Sequence, residues 1–156
     1  MSSRTVFRIP LNPVVGSRFQ PTGFPDLGPA SFQKPTESGW VEALHVESPQ
    51  SMANRLELTT CDLARSDQRA ELAGLPYVRV VGAEGEFLTS SRLEAHRLAS
   101  AYIMDGAIGA EPGRTVLSQR LGLVKDQAVD QRALAAAICA LDPLSLVHGV
   151  FFAQKT

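Results

Sequence analysis

Apolar residues in this chain fall into short runs separated by polar stretches rich in glycine and proline. Thr5 to Leu11 carries Val6, Ile9 and Leu11 and reads as a strand that Asn12-Pro13 ends. An irregular segment then extends to about Gly39 and includes GSRFQPTGFPDLG, residues 16–28, whose glycines and prolines exclude a regular helix or central strand. A loop this long inside a compact domain is usually functional or mobile. Trp40 to Val46 reads as a second strand, with Trp40, Leu44 and Val46 apolar.

Helical signals begin at SPQSMANRLEL. Ser48 suits an N-cap, and Pro49 suits the first helical position, where its missing N–H costs nothing. The spacing predicts a helix from about Pro49 to Leu58, with Met52, Leu56 and Ala53 as its apolar stripe. A short helix is expected over Asp67 to Leu72. Leu75 to Val81 should be a buried strand, Gly82 to Gly85 a turn, and Glu86 to Thr89 a returning strand. Ser91 and Glu94 form a capping-box pattern that predicts a helix from about Arg92 to Tyr102. Gly106 to Gly113 reads as a loop, and Thr115 to Leu123 suits either helix or strand. Asp130 caps a helix with Leu134, Ala137, Ile138 and Leu141 at core spacing, which Asp142-Pro143 breaks or restarts. Val147 to Ala153 reads as a strand buried on both faces.

Composition narrows the class. A chain of 156 residues suits one domain, and its 44% hydrophobic and 20% charged residues are those of an ordinary globular protein. No apolar run approaches the ~20 residues of a membrane span. Arg8 and Pro10 interrupt any secretory apolar core, so a cytoplasmic location is expected. Cys61 and Cys139 stand alone and are expected to be buried and reduced. A net charge of −1 argues against a strongly basic nonspecific nucleic-acid binder, but allows a few locally presented arginines.

Candidate enzyme chemistry is sparse. There is no GxSxG elbow, no HExxH frame and no P-loop, and His45, His96 and His148 are scattered. His96 reads as a solvent-facing helical residue and His148 as a core or edge residue. No metal or other cofactor is expected. The strongest signal is SPQSMANR: on a helix, Gln50 with Asn54 and Ser51 with Arg55 form i, i+4 pairs beside the N-terminal N–H groups. Arg55 adds a guanidinium suited to phosphate. The same residues also suit a solvated helix face with an ordinary cap. In the long loop, Arg18 and Gln20 can meet phosphates or base edges. Phe19 and Phe24 can stack on unpaired bases, worth ~1–3 kcal/mol each where that occurs, or pin the loop to the core.

The blocks RFQPTGFPDLG, VESPQSMANRLE, GLPYVRV, TSSRLEAHRLASAYI and DPLSLVHGVFFA resemble the type I-U (I-G) CRISPR-associated RAMP protein, the backbone subunit of an RNA-guided surveillance complex. They span Arg18 to Ala153 in family order. Members of that family are longer and continue past the Phe-Phe-Ala block, so this chain is expected to be an N-terminal part or a shortened variant.

The resemblance implies an α+β fold: a single domain over residues 1–156 with an RRM-like, ferredoxin-like sheet, long inserted loops and an incomplete C-terminal part. It implies a noncatalytic subunit that assembles with copies of itself as a filament along guide RNA. Other CRISPR-associated subunits join it, and target DNA is met through the complex, with no membrane involved. Guide sequence is left to Watson–Crick pairing. RNA contact is carried onto Gln50, Ser51, Asn54 and Arg55, then Arg18 and Gln20, then Arg92 and Arg97. The alternative is a metal-dependent ribonuclease using Asp26, which could equally be a turn residue. A third alternative is a decayed piece that has lost RNA binding.

Overall fold

The computed structural model describes residues 5–18, 20, 21, 23, 24 and 26–152, and no side chain at 23 or 24. The chain forms two compact units, one running up to Ser48 and the other beginning at Pro49.

In the first unit, Gly23–Phe24 (β1) pairs antiparallel with Gly28–Pro29 (β2). Ser31–Thr36 (β3) then pairs antiparallel with Gly39–Leu44 (β4) through a full register from Ser31↔Leu44 to Thr36↔Gly39. Glu37 and Ser38 form the turn, and the Thr36 hydroxyl donates to the Gly39 carbonyl at 2.7 Å. The second strand was therefore foreseen within about two residues, but its partner was read as loop. The reason is Pro35, which demotes a strand signal yet is tolerated in a two-stranded ribbon whose outer edges need no ladder partner. Every residue of the ribbon except Ala43 is exposed, so no burial imposed an alternating pattern. Thr5 to Leu11 is corrected: it is not a strand, and Val6, Ile9 and Leu11 are exposed. No strand pairs with it among the described residues, and an unpaired strand has nothing to satisfy its backbone.

The second unit opens with Pro49–Leu58 (α1), whose bounds are those the spacing predicts. Its buried face differs from the prediction. Met52 and Leu56 are exposed, and the one fully buried residue is Glu57. Cys61–Asp62 (β5) pairs with Asp67–Gln68 (β6), and the short helix expected at 67–72 shrinks to a 3-10 turn at Ala70–Leu72. Arg79–Val81 (β7) pairs antiparallel with Phe87–Ser90 (β8), the expected hairpin, but the strand expected to be buried over 75–81 is corrected: it shortens to three residues, and Leu75, Arg79 and Val81 are exposed.

The helix expected from Arg92 to Tyr102 is corrected. Ser91 does not close a capping box, because its hydroxyl donates to Asp142 Oδ2 at 2.6 Å. Glu94 accepts instead from the Thr89 hydroxyl at 2.6 Å and the Ser100 hydroxyl at 2.8 Å. Arg97 takes a left-handed backbone, φ 53°, which stops helix growth. Only a 3-10 turn at Arg97–Ala99 and a short helix at Ala101–Met104 (α2) remain, the latter capped by Ser100. Ala107–Ile108 (β9) and Glu111–Pro112 (β10) turn a small hairpin into Gly113–Leu121 (α3), which settles that ambiguous stretch as helix. Gly113 is obligatory there: a Cβ would lie 2.2 Å from the Ile103 carbonyl oxygen.

Gln131–Leu141 (α4) begins as predicted, with the Asp130 carboxylate accepting from the N–H groups of Arg132 and Ala133. Asp142-Pro143 does restart the chain, but as Leu144–His148 (α5) rather than a strand. The Asp142 carboxylate accepts from Leu144 N at 3.1 Å and thereby favours a helical turn over extension. The expected double-sided burial also fails: Val147 and Phe151 are exposed while Val150 and Phe152 pack against the core, and Ala153 lies outside the described residues.

The core is small and lies among the helices. Leu98, Ile103, Met104, Leu117, Leu121 and Ile138 are buried together, with Val78, Val80 and Leu134 packed around them. Mixed helices and small antiparallel sheets make the class α+β, and each sheet among the described residues holds two strands. Cys61 is buried, but Cys139 is exposed, which corrects its expected burial; both are free thiols. Among the described residues no helix is long and apolar enough to cross a membrane.

Candidate nucleic-acid interface

Helix α1 keeps its polar residues accessible. Gln50, Asn54 and Arg55 are exposed and Ser51 is half-buried. They divide between two hollows, as two i, i+4 lines on one helix must. Gln50 and Asn54 border a cleft of about 650 Å³ whose other walls are Ala95–Arg97 and His148–Phe151. Ser51, Asn54 and Arg55 border a smaller hollow of about 240 Å³, shared with Glu57 and the Arg92–Glu94 stretch.

Arg97 ties the walls of the larger cleft together. Its Nε and Nη2 donate to Glu57 Oε1 and Oε2 at 2.5 and 2.8 Å, which anchors the turn to α1. Its Nη1 donates to the Gly149 carbonyl at 2.9 Å, which anchors the turn to the segment after α5. Both side chains are buried, at 10% and 2% relative exposure. A bidentate pair of this kind needs a fixed geometry on both sides. The left-handed Arg97 backbone is the strain that this geometry sustains.

Arg92 is likewise internal. Nη1 donates to Gln68 Oε1 at 2.7 Å, Nη2 donates to the Pro76 carbonyl at 3.3 Å, and the guanidinium lies 4.9 Å from the Tyr77 ring centroid. Its Nε sits 3.6 Å from Asp142 Oδ1, close enough for charge attraction but too long for a hydrogen bond. Arg92 and Arg97, expected to meet RNA, thus both direct their guanidiniums to protein partners. Their guanidiniums face protein acceptors because the capping box that would have put both on an exposed helix does not form.

Beside Arg92, the Tyr77 hydroxyl donates to Asp67 Oδ1 at 2.6 Å and accepts from Arg79 Nη1 at 3.1 Å. The Tyr77 hydrogen bond, first, and the Gln68 N–H hold the Asp67 carboxyl below the usual carboxylate range. Burial, then the bond to Asp67, pushes the Tyr77 hydroxyl up.

Arg18 and Gln20 are exposed in an irregular stretch of the first unit. Asp26 is exposed in the turn between β1 and β2. Phe19 lies outside the described residues, as does the Phe24 side chain. Sequence reasoning missed Glu57, although its place four residues after Ala53 on α1 was a signal: a carboxylate in line with a half-buried alanine asks for a buried cation. It also left His96 and His148 unconnected, and no sequence pattern links positions that only the Arg97 tie brings to one cleft.

Over residues 5–156 the chain matches the family described as CRISPR-associated protein GSU0053. The chain belongs to that family, which is CRISPR-associated as the resemblance implied, and its role lies in CRISPR defence. No curated protein is similar enough to count as a match.

Proposed function

We propose that this chain is a noncatalytic guide-RNA-binding backbone subunit of a type I CRISPR surveillance complex, repeated along the RNA as a filament. The observation that carries the reading is the accessible polar face of α1, with Gln50, Asn54 and Arg55 exposed beside two concave surfaces. Membership of a CRISPR-associated family supports it. Gln50, Ser51, Asn54 and Arg55 are the RNA contacts, with Arg18 and Gln20 as further contacts from the first unit. A near-neutral chain suits this role, because many copies on one RNA add modest contacts into a strong total. The RRM-like sheet belongs to the same proposal, with β7–β8 as its seed, since Val78 and Val80 reach the apolar core. Other CRISPR-associated subunits and, through them, target DNA are the remaining partners.

Expression beside a CRISPR array tests the proposal: the chain should co-purify with short RNA of uniform length. Arg55→Ala should lower the log–log salt slope of RNA binding by roughly 0.7, the contribution of one single-strand phosphate contact. An unchanged slope removes Arg55 from the interface. Labelled RNA incubated with the chain and magnesium should stay intact, and cutting that Asp26→Ala abolishes would establish a ribonuclease instead.

A further inference from the structure

The cleft between α1 and the His148–Phe151 segment has a one-sided chemistry. Among the described residues its titratable lining groups are His96, Arg97 and His148, with no carboxylate. The nearest acid on α1, Glu57, is held bidentate by Arg97. In the 94–97 turn, Glu94 is engaged by the Thr89 and Ser100 hydroxyls. On the other side of His96, where a second hollow opens, Asp105 is paired with Arg114 at 3.0 Å. Helix α5 carries no titratable residue besides His148. His96 is exposed and His148 half-buried, so both rings can reach an occupant of the cleft.

We infer that His96 and His148 are phosphate contacts, and that RNA in this cleft is gripped in a proton-linked way. The inference rests on the RNA-binding reading above and names residues and a regulation that reading lacks. An imidazole ordinarily exchanges its proton near pH ~6.5. A phosphate beside it favours the charged form, so binding takes up protons and tightens as pH falls. Arg97 cannot supply this response, because a guanidinium keeps its charge throughout.

The test is fluorescence anisotropy of a labelled mixed-sequence single-stranded RNA with the 156-residue chain at constant ionic strength. Affinity should be roughly three- to tenfold tighter at about pH 5.5 than at about pH 8, with a salt slope steeper by roughly 0.7 for each imidazole charged. The His96→Gln/His148→Gln double variant should lose that dependence. His45→Gln, in the first unit, should retain it. RNA binding with equal affinity at both pH values overturns the inference and leaves the RNA-binding reading standing, as does a pH response that survives in the double variant. No RNA binding at either pH overturns both. The wild-type titration and salt slope need no substitution, so the outcome does not depend on a variant's folding.

Discussion

Arg97 and Glu57 stand 40 residues apart in sequence and meet as a bidentate pair, Nε to Oε1 at 2.5 Å and Nη2 to Oε2 at 2.8 Å. The pair joins α1 to the turn before α2, and the third arm of the guanidinium holds the Gly149 carbonyl. One side chain thus places the α1 face, His96 and His148 around a common space.

Removing one member should be costly, because the other is left charged and buried. Arg97→Ala is expected to lose about 3–5 kcal/mol in urea unfolding. Replacing both by apolar residues of similar volume, Glu57→Leu with Arg97→Met, should lose clearly less than either single change. Additive losses would mean the two side chains do not act as a pair.

Asp142 has a comparable place at the start of α5. It accepts from the Ser91 hydroxyl at 2.6 Å, caps Leu144 and faces Arg92 at 3.6 Å, with almost no exposure. Asp142→Ala should therefore destabilise by about 3–5 kcal/mol, since Arg92 loses a buried counter-charge. Ser91→Ala, which removes the bond to Asp142 and the one the hydroxyl oxygen accepts from Val78 N–H at 3.2 Å, should cost about 1–2 kcal/mol. Thermal denaturation of the two variants side by side gives the ranking, and the reverse order would refute it.

The Tyr77–Asp67 bond makes a pH prediction. Folding raises the Tyr77 hydroxyl above its ordinary value, so its stabilising contribution is complete below that value and fades as pH rises through the folded one. Folding lowers the Asp67 carboxyl, so its contribution is present above the ordinary carboxylate range and fades as pH falls through the folded value. Asp67→Ala should bring the Tyr77 phenolate absorbance transition back toward the ordinary range. Part of the shift should remain, because burial is its larger cause. A transition unmoved by the substitution would rule the bond out as a contributor.

Gly113 permits α3 to start against the backbone of α2. A Cβ at 2.2 Å from the Ile103 carbonyl oxygen and 3.0 Å from the Gly106 carbonyl oxygen meets atoms that cannot rotate away. Gly113→Ala should cost about 1–3 kcal/mol through forced backbone shifts. Gly122→Ala at the C-terminus of α3, where φ is 64° but the space is open, should cost about 1 kcal/mol from backbone strain alone. Circular-dichroism melts of the two should separate clash from strain.

Where local chemistry governs, the amino-acid pattern was enough. Pro49 at a helix start, Asp130 as a cap and the Leu134–Leu141 spacing each act within a turn or two of chain, so the bounds of α1 and the start of α4 appear as read and β7 pairs with β8 as read, though β7 is shorter and more exposed. The polar face of α1 was legible for the same reason, since i, i+4 neighbours are set by helix geometry. Where a polar side chain had distant partners to choose from, the pattern misled. Ser91 and Glu94 look like a capping box, yet Asp142 lies 51 residues from Ser91 and takes its hydroxyl, so the expected helix dissolves into turns. The same long-range choice turned Arg92 and Arg97 inward, buried Glu57 while leaving the expected Met52 and Leu56 exposed, and gathered two histidines at one cleft. A charge in a low-dielectric interior is satisfied by whichever opposite charge the fold brings near, and that proximity is a property of three-dimensional packing alone.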